Sequence, residues 1–336
     1  MFPCPDLTAA LRKVWQGVAN PAARLAVATS GGADSAMLAA HAAALARERG
    51  TELILFHVHH GLQTAADGWA DHVQGLGRIL GIPVATAHAQ VDATTGLGIE
   101  AAARDARYAS LTELARQHDV QHILLAHHQN DQAETVLLRL LRGTGPDGMA
   151  AMAPTMQRDG ITYHRPWLNL SRTSILQSAH AFAEQHDWHA VQDPTNADPR
   201  YTRAAVRELL SPVLDARWPG WQARLASHAR HAAETSAILE EVAQNDLATL
   251  DLSSDGKSFS LAQWRGLPSA RQSLVLRHWL RLNGARMPTE ARMADLLRQL
   301  RQLHSLGHDR QMQVAHAQHV IHCQRGRVRI EPRNEA

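Results

Sequence analysis

Four short apolar runs, each followed by a stretch of helical character, fill the first 142 residues. Arg24–Thr29 precedes Asp34–Arg49, and Glu52–Val58 precedes Asp67–Leu80. Pro83–Val91 precedes Ile99–His118, and His122–His127 precedes Asp131–Arg142. Runs that are apolar on both faces suit strands covered on two sides, and strand–helix alternation builds a parallel sheet between helical layers. The expected fold class is therefore α/β, a doubly wound parallel sheet. Ligands in such sheets sit beyond the carboxyl ends of the strands, so the turns after the first and fourth runs come first as candidate sites.

Beyond Gly143 the alternation stops. Ser171–His186 reads as a further helix and Asp193–Arg200 as a turn-rich connector. Trp221–Leu250, Pro268–Leu282 and Thr289–Leu303 read as helices, and Gln311–Ile330 as a hairpin turning at Gln324–Gly326. A smaller, mainly helical domain is thus expected over 216–336, after a first domain over 1–215. Charge divides the same way. Residues 1–219 carry 18 Lys+Arg against 21 Asp+Glu, whereas from Gly256 onward the count is 14 against 5. A basic second half suits a polyanionic partner. A generally arginine-rich composition is the plainer reading, since Lys13 and Lys257 are the only lysines. No apolar run approaches the roughly 20 residues that span a bilayer. The two cysteines, Cys4 and Cys323, cannot build a thiolate metal site. The cytoplasm is the expected location.

Ser30-Gly31-Gly32-Ala33-Asp34-Ser35 lies between the first strand and its helix. Two glycines permit a sharp turn, and the exposed N–H groups together with the helix N-terminus form an anion nest. Ser30 and Ser35 add hydroxyls. Asp34 is out of place beside an anion unless a cation bridges the two, which implies Mg²⁺ between carboxylate and phosphates. No G-x-x-x-x-G-K-[ST] segment is present and no lysine lies near the loop, so cleavage at a γ-phosphate in the P-loop manner is not expected.

Three further segments carry chemistry. In Gly98–Tyr108, Glu100 and Arg104 are spaced i,i+4, as in a helical ion pair, while Arg104 or Arg107 could face a phosphate or a developing oxyanion. In Leu125–Thr135, Asn130 or Asp131 could cap the helix with Glu134 in a capping box. Alternatively, Asp131 could ligate Mg²⁺ or hold an attacking ammonium. In the third, Asp193–Asp198 explains itself as a turn, but the following Tyr201, Arg203 and Arg207 do not. The 22 histidines match no zinc spacing; His60 and His127 are expected to line a nucleotide pocket. Trp218, Trp221 and Trp279 are expected in the core rather than as base-stacking platforms.

The hexapeptide resembles the SGGxDS pyrophosphate loop of the ATP pyrophosphatase superfamily, whose members adenylate an oxygen and release pyrophosphate. Taken with HHGL (59–62), GIEAAARDARY, LAHHQNDQAET, RPWL (165–168) and DPTNADPRYTR, it resembles tRNA(Ile)-lysidine synthetase over about residues 24–210. Family members usually continue the last segment with Asn-Arg, where this chain has Ala204-Ala205.

The resemblance implies a reaction in which the C2 oxygen of the first anticodon cytidine of a CAU-anticodon isoleucine tRNA attacks the α-phosphate of ATP. Free lysine then displaces AMP. It implies that Ser30, Gly31, Gly32, Ala33, Asp34, Ser35 and His60 hold the nucleotide, and that Asp34 and Asp131 hold Mg²⁺. Arg104 or Arg107 would stabilise charge on the adenylate, and Asp131, Glu134 or His127 would take the amine's proton. The oligomeric state stays open, a homodimer being one alternative. Rival readings are another tRNA-modifying enzyme of the superfamily, or an ATP-gated RNA-binding protein without catalysis.

Overall fold

The computed structural model describes residues 4–18, 24–59, 66–90, 99–193, 197–303 and 312–333. The chain divides into two compact units, Met1–Ala233 and Glu234–Ala336.

The first unit is built on six strands: β1 (Leu25–Ala28), β2 (Leu53–His59), β3 (Val84–His88), β4 (His122–Leu124), β5 (Thr155–Arg158) and β6 (Ile161–His164). Their order is β3-β2-β1-β4-β6-β5. All neighbours are parallel except β5, which pairs antiparallel with β6 at the edge. Alternate residues of β1 and β2 serve opposite faces. Leu25, Val27, Leu53 and Leu55 join one core with Leu7, Leu11 and Trp15 of α1 (Pro5–Gln16) and with the alanines of α2 (Ala33–Arg49). Ala26, Ala28, Ile54 and Phe56 join the other core with Tyr108, Leu111 and Leu114 of α4 (Ile99–Gln117). Every residue of β1 and β2 is buried, as expected of apolar runs covered on both sides. The expectation of a doubly wound sheet holds.

Two parts of this unit go beyond the sequence reading. The β5–β6 hairpin supplies an extra parallel neighbour for β4, beyond the point at Gly143 where the strand–helix alternation of the sequence stops. Its strands are four residues each, too short to show a period. The fourth strand stops at Leu124 rather than His127, which frees residues 125–128 to turn into α5 (Gln129–Leu141). The remaining helices of this unit include α3 (Ala66–Leu80), the short α6 (Pro146–Met149) and α7 (Arg172–His186). They also include α8 (Thr202–Ala205), a π-helical turn over Val206–Leu210, and α9 (Ser211–Arg217).

Helix α10 (Trp221–Ala248) leads into the second unit. There α11 (Leu261–Gly266), α12 (Ser269–Leu282) and α13 (Glu290–Gln302) pack with an antiparallel sheet. The sheet order is β7-β10-β9-β8, with β7 at Ser258–Ser260, β8 at Met312–His316, β9 at His319–Gln324 and β10 at Arg327–Pro332. The hairpin expected at 311–330 is its central part, enlarged to four strands. Phe259, Trp264, Trp279, Leu300, Ile321 and Val328 form the core. Trp221 and Trp279 are buried as expected, but Trp218 is 51% exposed, with the Arg217 guanidinium 5.9 Å from its ring centroid. It follows the end of α9 and has no apolar layer above it.

Candidate active site

Strand order reverses between β1 and β4: β2 and β3 extend to one side of β1, while β4 lies on the other. This switch point opens a crevice at the strand ends, and the Ser30–Ser35 loop leaves β1 there. Gly31 has φ +89°, a left-handed conformation that a side chain would strain. A Cβ at Gly31 would also lie 3.3 Å from Val191 Cγ2. The Val191 N–H donates to the Gly31 carbonyl at 3.0 Å, fixing the turn. The two serines brace the loop from within. Ser35 Oγ accepts from the Ser30 N–H and donates to the Gly32 carbonyl, both at 3.1 Å, and Ser30 Oγ lies 3.1 Å from Ser35 Oγ. Helix α2 begins at Gly32 without a side-chain cap, leaving its first-turn N–H groups, beginning with that of Ala33, available to an anion.

At the head of α5 the N-cap is His128, rather than Asn130 or Asp131, and the capping partner is Asp131 rather than Glu134. The His128 N–H donates to Asp131 Oδ2 at 3.0 Å, and His128 Nδ1 accepts from the Asp131 N–H at 3.4 Å. The proton of this ring therefore sits on Nε2, which lies 3.4 Å from Asp131 Oδ2 and 3.7 Å from Asp34 Oδ2. One buried imidazole thus joins the carboxylate of the loop to that of α5. Histidine is not a favoured capping residue, so capping preference alone does not single it out.

Asp34 also accepts from Arg172 Nε at 3.4 Å. Burial raises its pKa, but the hydrogen bond and charge of His128, followed by Arg172, outweigh that and hold the carboxyl below its ordinary value. Glu134, one turn along α5 and 4% exposed, forms a two-pronged pair with Arg207. Nε donates to Oε1 at 2.6 Å and Nη2 to Oε2 at 2.9 Å, while Nη2 also reaches Asp131 Oδ1 at 3.2 Å. Burial lowers the Arg207 pKa, but Glu134, Asp131 and Asp34 together raise it above the ordinary value. Three carboxylates predicted from two motifs, Asp34 from one and Asp131 and Glu134 from the other, are therefore brought together. Arg207, which the turn before it left unexplained, finds its partners here, and Arg172, outside the segments singled out for chemistry, holds Asp34.

A second group is cationic. His127 is uncharged: burial first, then Arg165, Arg107, Arg104 and Arg203, push it well below the usual histidine range. Its Nδ1 is buried without a partner. Arg165, 3% exposed, donates to the Ala153 carbonyl at 2.7 Å and to Tyr108 Oη at 3.3 Å, and its Nε has no partner. Arg107 is lowered by burial and, with Tyr108 opposing, by Arg104. Arg104 is exposed and lies over the Tyr108 ring at 5.3 Å. The predicted Arg104, Arg107 and His127 belong to this pole, and α5 connects it to the acidic one. Arg203 donates to Thr135 Oγ1 at 3.2 Å, and that hydroxyl donates to the Asp131 carbonyl at 2.7 Å. His60, the side chain of Glu100 and Pro194–Asn196 lie outside the described residues. Among the described residues, no group of three or more His, Cys, Asp or Glu side chains is arranged to hold a metal ion by itself. No helix among them is long and apolar enough to cross a membrane.

The geometry places an anion-binding turn beside three carboxylates and a guanidinium-rich wall, an arrangement suited to a nucleotide and a cationic second reactant. Comparison with known proteins agrees with it. Residues 6–214 match the PP-loop domain family, and residues 259–329 match the TilS substrate binding domain. The chain is 63% identical to a tRNA(Ile)-lysidine synthase of Bordetella pertussis over 97% of its own length and 100% of that relative. It is 41% identical to the tRNA(Ile)-lysidine synthase of Ralstonia nicotianae over 82% of its length and 58% of the relative. Among solved structures, the U34-tRNA thiolase NcsA from Methanococcus maripaludis shares the fold, with a TM-score of 0.57 and 15% identity over 68% of this chain and 78% of that one. By its loop, its two-part match and its identity across nearly the whole length of a relative, this chain belongs to the tRNA(Ile)-lysidine synthase family.

Proposed function

We propose that this chain ligates free lysine to C2 of the wobble cytidine of a CAU-anticodon isoleucine tRNA, consuming ATP and releasing AMP and pyrophosphate. One observation carries the reading: His128 Nε2 lies between Asp34 of the anion-binding loop and Asp131 of α5, coupling the nucleotide side of the site to the carboxylate side. In this role residues 1–215 supply the chemistry, and residues 216–336 hold the RNA in the cytoplasm.

In the first step the cytidine O2 forms a bond to the α-phosphorus, and the bond to the bridging oxygen of pyrophosphate breaks. The free amides at the start of α2, with the loop braced by Ser30 and Ser35, receive the departing charge. Arg107 and Arg104 offset charge on the adenylate. In the second step the lysine Nζ bonds to C2 and AMP leaves through the C2–O2 bond. The ammonium must first lose a proton. Asp131, Glu134 and His127 are the candidate acceptors, and at His127 burial and four arginines oppose the charged form that would result.

Mg²⁺ fits the residues present. Asp34 and Asp131 offer hard oxygen donors on either side of His128, and such ions take one or two carboxylates and complete their shell with phosphate oxygens and water. When bound, the ion would neutralise charge on the triphosphate. A homodimer is compatible with this scheme, and no step in it requires one.

The test supplies ATP, Mg²⁺, labelled lysine and either a CAU-anticodon isoleucine tRNA or a CAU-anticodon methionine tRNA. Label entering the first RNA alone, with equimolar pyrophosphate, is the expected result. Pyrophosphate without label in RNA would retain the nucleotide chemistry and refute lysine as the second substrate.

A further inference from the structure

His57 lies two residues before the end of β2, beside the start of the anion-binding loop, and the scheme above gives it no role. Its Nδ1 lies 2.9 Å from the carbonyl oxygen of Thr29, the residue before Ser30. A carbonyl only accepts, so Nδ1 carries the proton and donates, and in the neutral ring Nε2 is an acceptor. Burial keeps the ring neutral. His57 is 3% exposed, and its Nε2 is buried with no hydrogen-bond partner. A buried acceptor left unmade is costly, and this one sits at the ligand-binding end of the sheet.

Its partner must be a donor, which excludes the triphosphate. It is also not an ammonium. Arg107, His59 and His88 are the charged or titratable groups acting on His57, whereas the carboxylates suited to an amine lie across the switch point, on the α5 side. With the α5 side committed to amine and RNA, the donor left on the β2 side is on the nucleoside half of ATP: a ribose hydroxyl or the adenine 6-amino group. We propose that His57 is a specificity-determining residue of the nucleotide site, its Nε2 accepting a hydrogen bond from one such donor while its Nδ1–H pins Thr29. This rests on the ATP-dependent reading above.

The test measures kcat and KM for pyrophosphate release with ATP, 2′-deoxy-ATP, 3′-deoxy-ATP and the 6-deamino analogue, purine riboside triphosphate. The wild-type chain and His57→Asn are compared. Asparagine keeps an N–H that can reach the Thr29 carbonyl but has nothing in place of Nε2. Wild type should discriminate against one analogue by about tenfold in kcat/KM, the size of one net hydrogen bond. His57→Asn should lose about tenfold on ATP, through KM rather than kcat, and treat that analogue like ATP. The analogue that couples identifies the donor. A His57→Asn variant that keeps wild-type discrimination overturns the proposal, because His57 then only supports the loop. Wild type accepting all three analogues as well as ATP overturns it without any variant. Failure of wild type to release pyrophosphate from ATP itself is a separate result that removes the underlying reading too.

Discussion

Arg207 is the sole cation hydrogen-bonded to Glu134 among the described residues, and its loss should be felt first in stability. The side chains of Glu134 and Asp131 are 6% and 12% exposed, and that of Arg207 is 31% exposed. Arg207→Met fills similar space and leaves two carboxylates facing each other in a largely dry site. Removing one partner of a buried pair costs about 3–5 kcal/mol. Partial access of water to Arg207 places the expectation near the lower end, about 3 kcal/mol. For a unit of about 200 residues that lowers its melting temperature by about 6–12 °C. The assay is calorimetry at pH 7.5, assigning the transition of the first unit with the isolated change Glu134→Gln as a control. Glu134→Gln added to Arg207→Met should restore about half of the loss, since one stranded charge is gone. Melting within about 1 °C of wild type at pH 7.5, or a second substitution that adds its cost to the first, would refute the pairing as the support of α5.

Asp34→Ala should lower pyrophosphate release by at least about 100-fold, the scale of removing a group that acts on developing charge, while tRNA binding measured by filter retention stays within about twofold. Retained turnover would remove Asp34 from the site. Gly31→Ala forces a left-handed residue against Val191 and should cost about 1–3 kcal/mol of stability. ATP binding should be lost with it, and an unchanged melt with normal ATP affinity would contradict the strained turn. His41 is bonded between Thr8 Oγ1 and Ser178 Oγ, and burial pushes it down to about 4. Unfolded histidine titrates near 6.5, so this contribution is complete above about pH 6.5 and is lost as pH falls toward 4. The loss reaches about 3 kcal/mol. A denaturation midpoint that is flat across that window would count against it. Binding of tRNA should weaken steeply with salt; a slope near zero would dismiss the basic second half as the RNA contact.

Much of the site was legible because its chemistry is local. Ser30–Ser35 needs only consecutive residues to make an anion nest, and Asp34 beside it signals a cation whatever the fold. Asp131 and Glu134 are one turn apart on one helix, so their proximity follows from helical geometry. Arg172 was not legible as a site residue, and Arg207 was legible only as a residue its turn did not explain, with no partner assigned. Each is separated by more than 70 residues from the carboxylate it holds, and no periodicity reports a contact at that range. His128 was passed over for Asn130 and Asp131 because capping preference points to them. His57 reads as one more residue of an apolar strand, and only burial reveals the unpartnered nitrogen. Trp218 was expected in the core for its size alone, and its position after the end of α9 placed it at the surface.

By itself the sequence determined the doubly wound sheet, the glycine turn after its first strand, and the placement of Asp131 and Glu134 one turn apart on a single helix. Strand burial on two faces and backbone turns are properties of short segments, and short segments carry their own pattern. Only the tertiary structure decided that β6 follows β4 in the sheet, that His128 joins two carboxylates from different strand ends, and which arginines balance them. Those outcomes depend on the order of strands and on charges leaving water together. Both are set when the whole unit packs, and neither leaves a mark in the spacing of neighbouring residues.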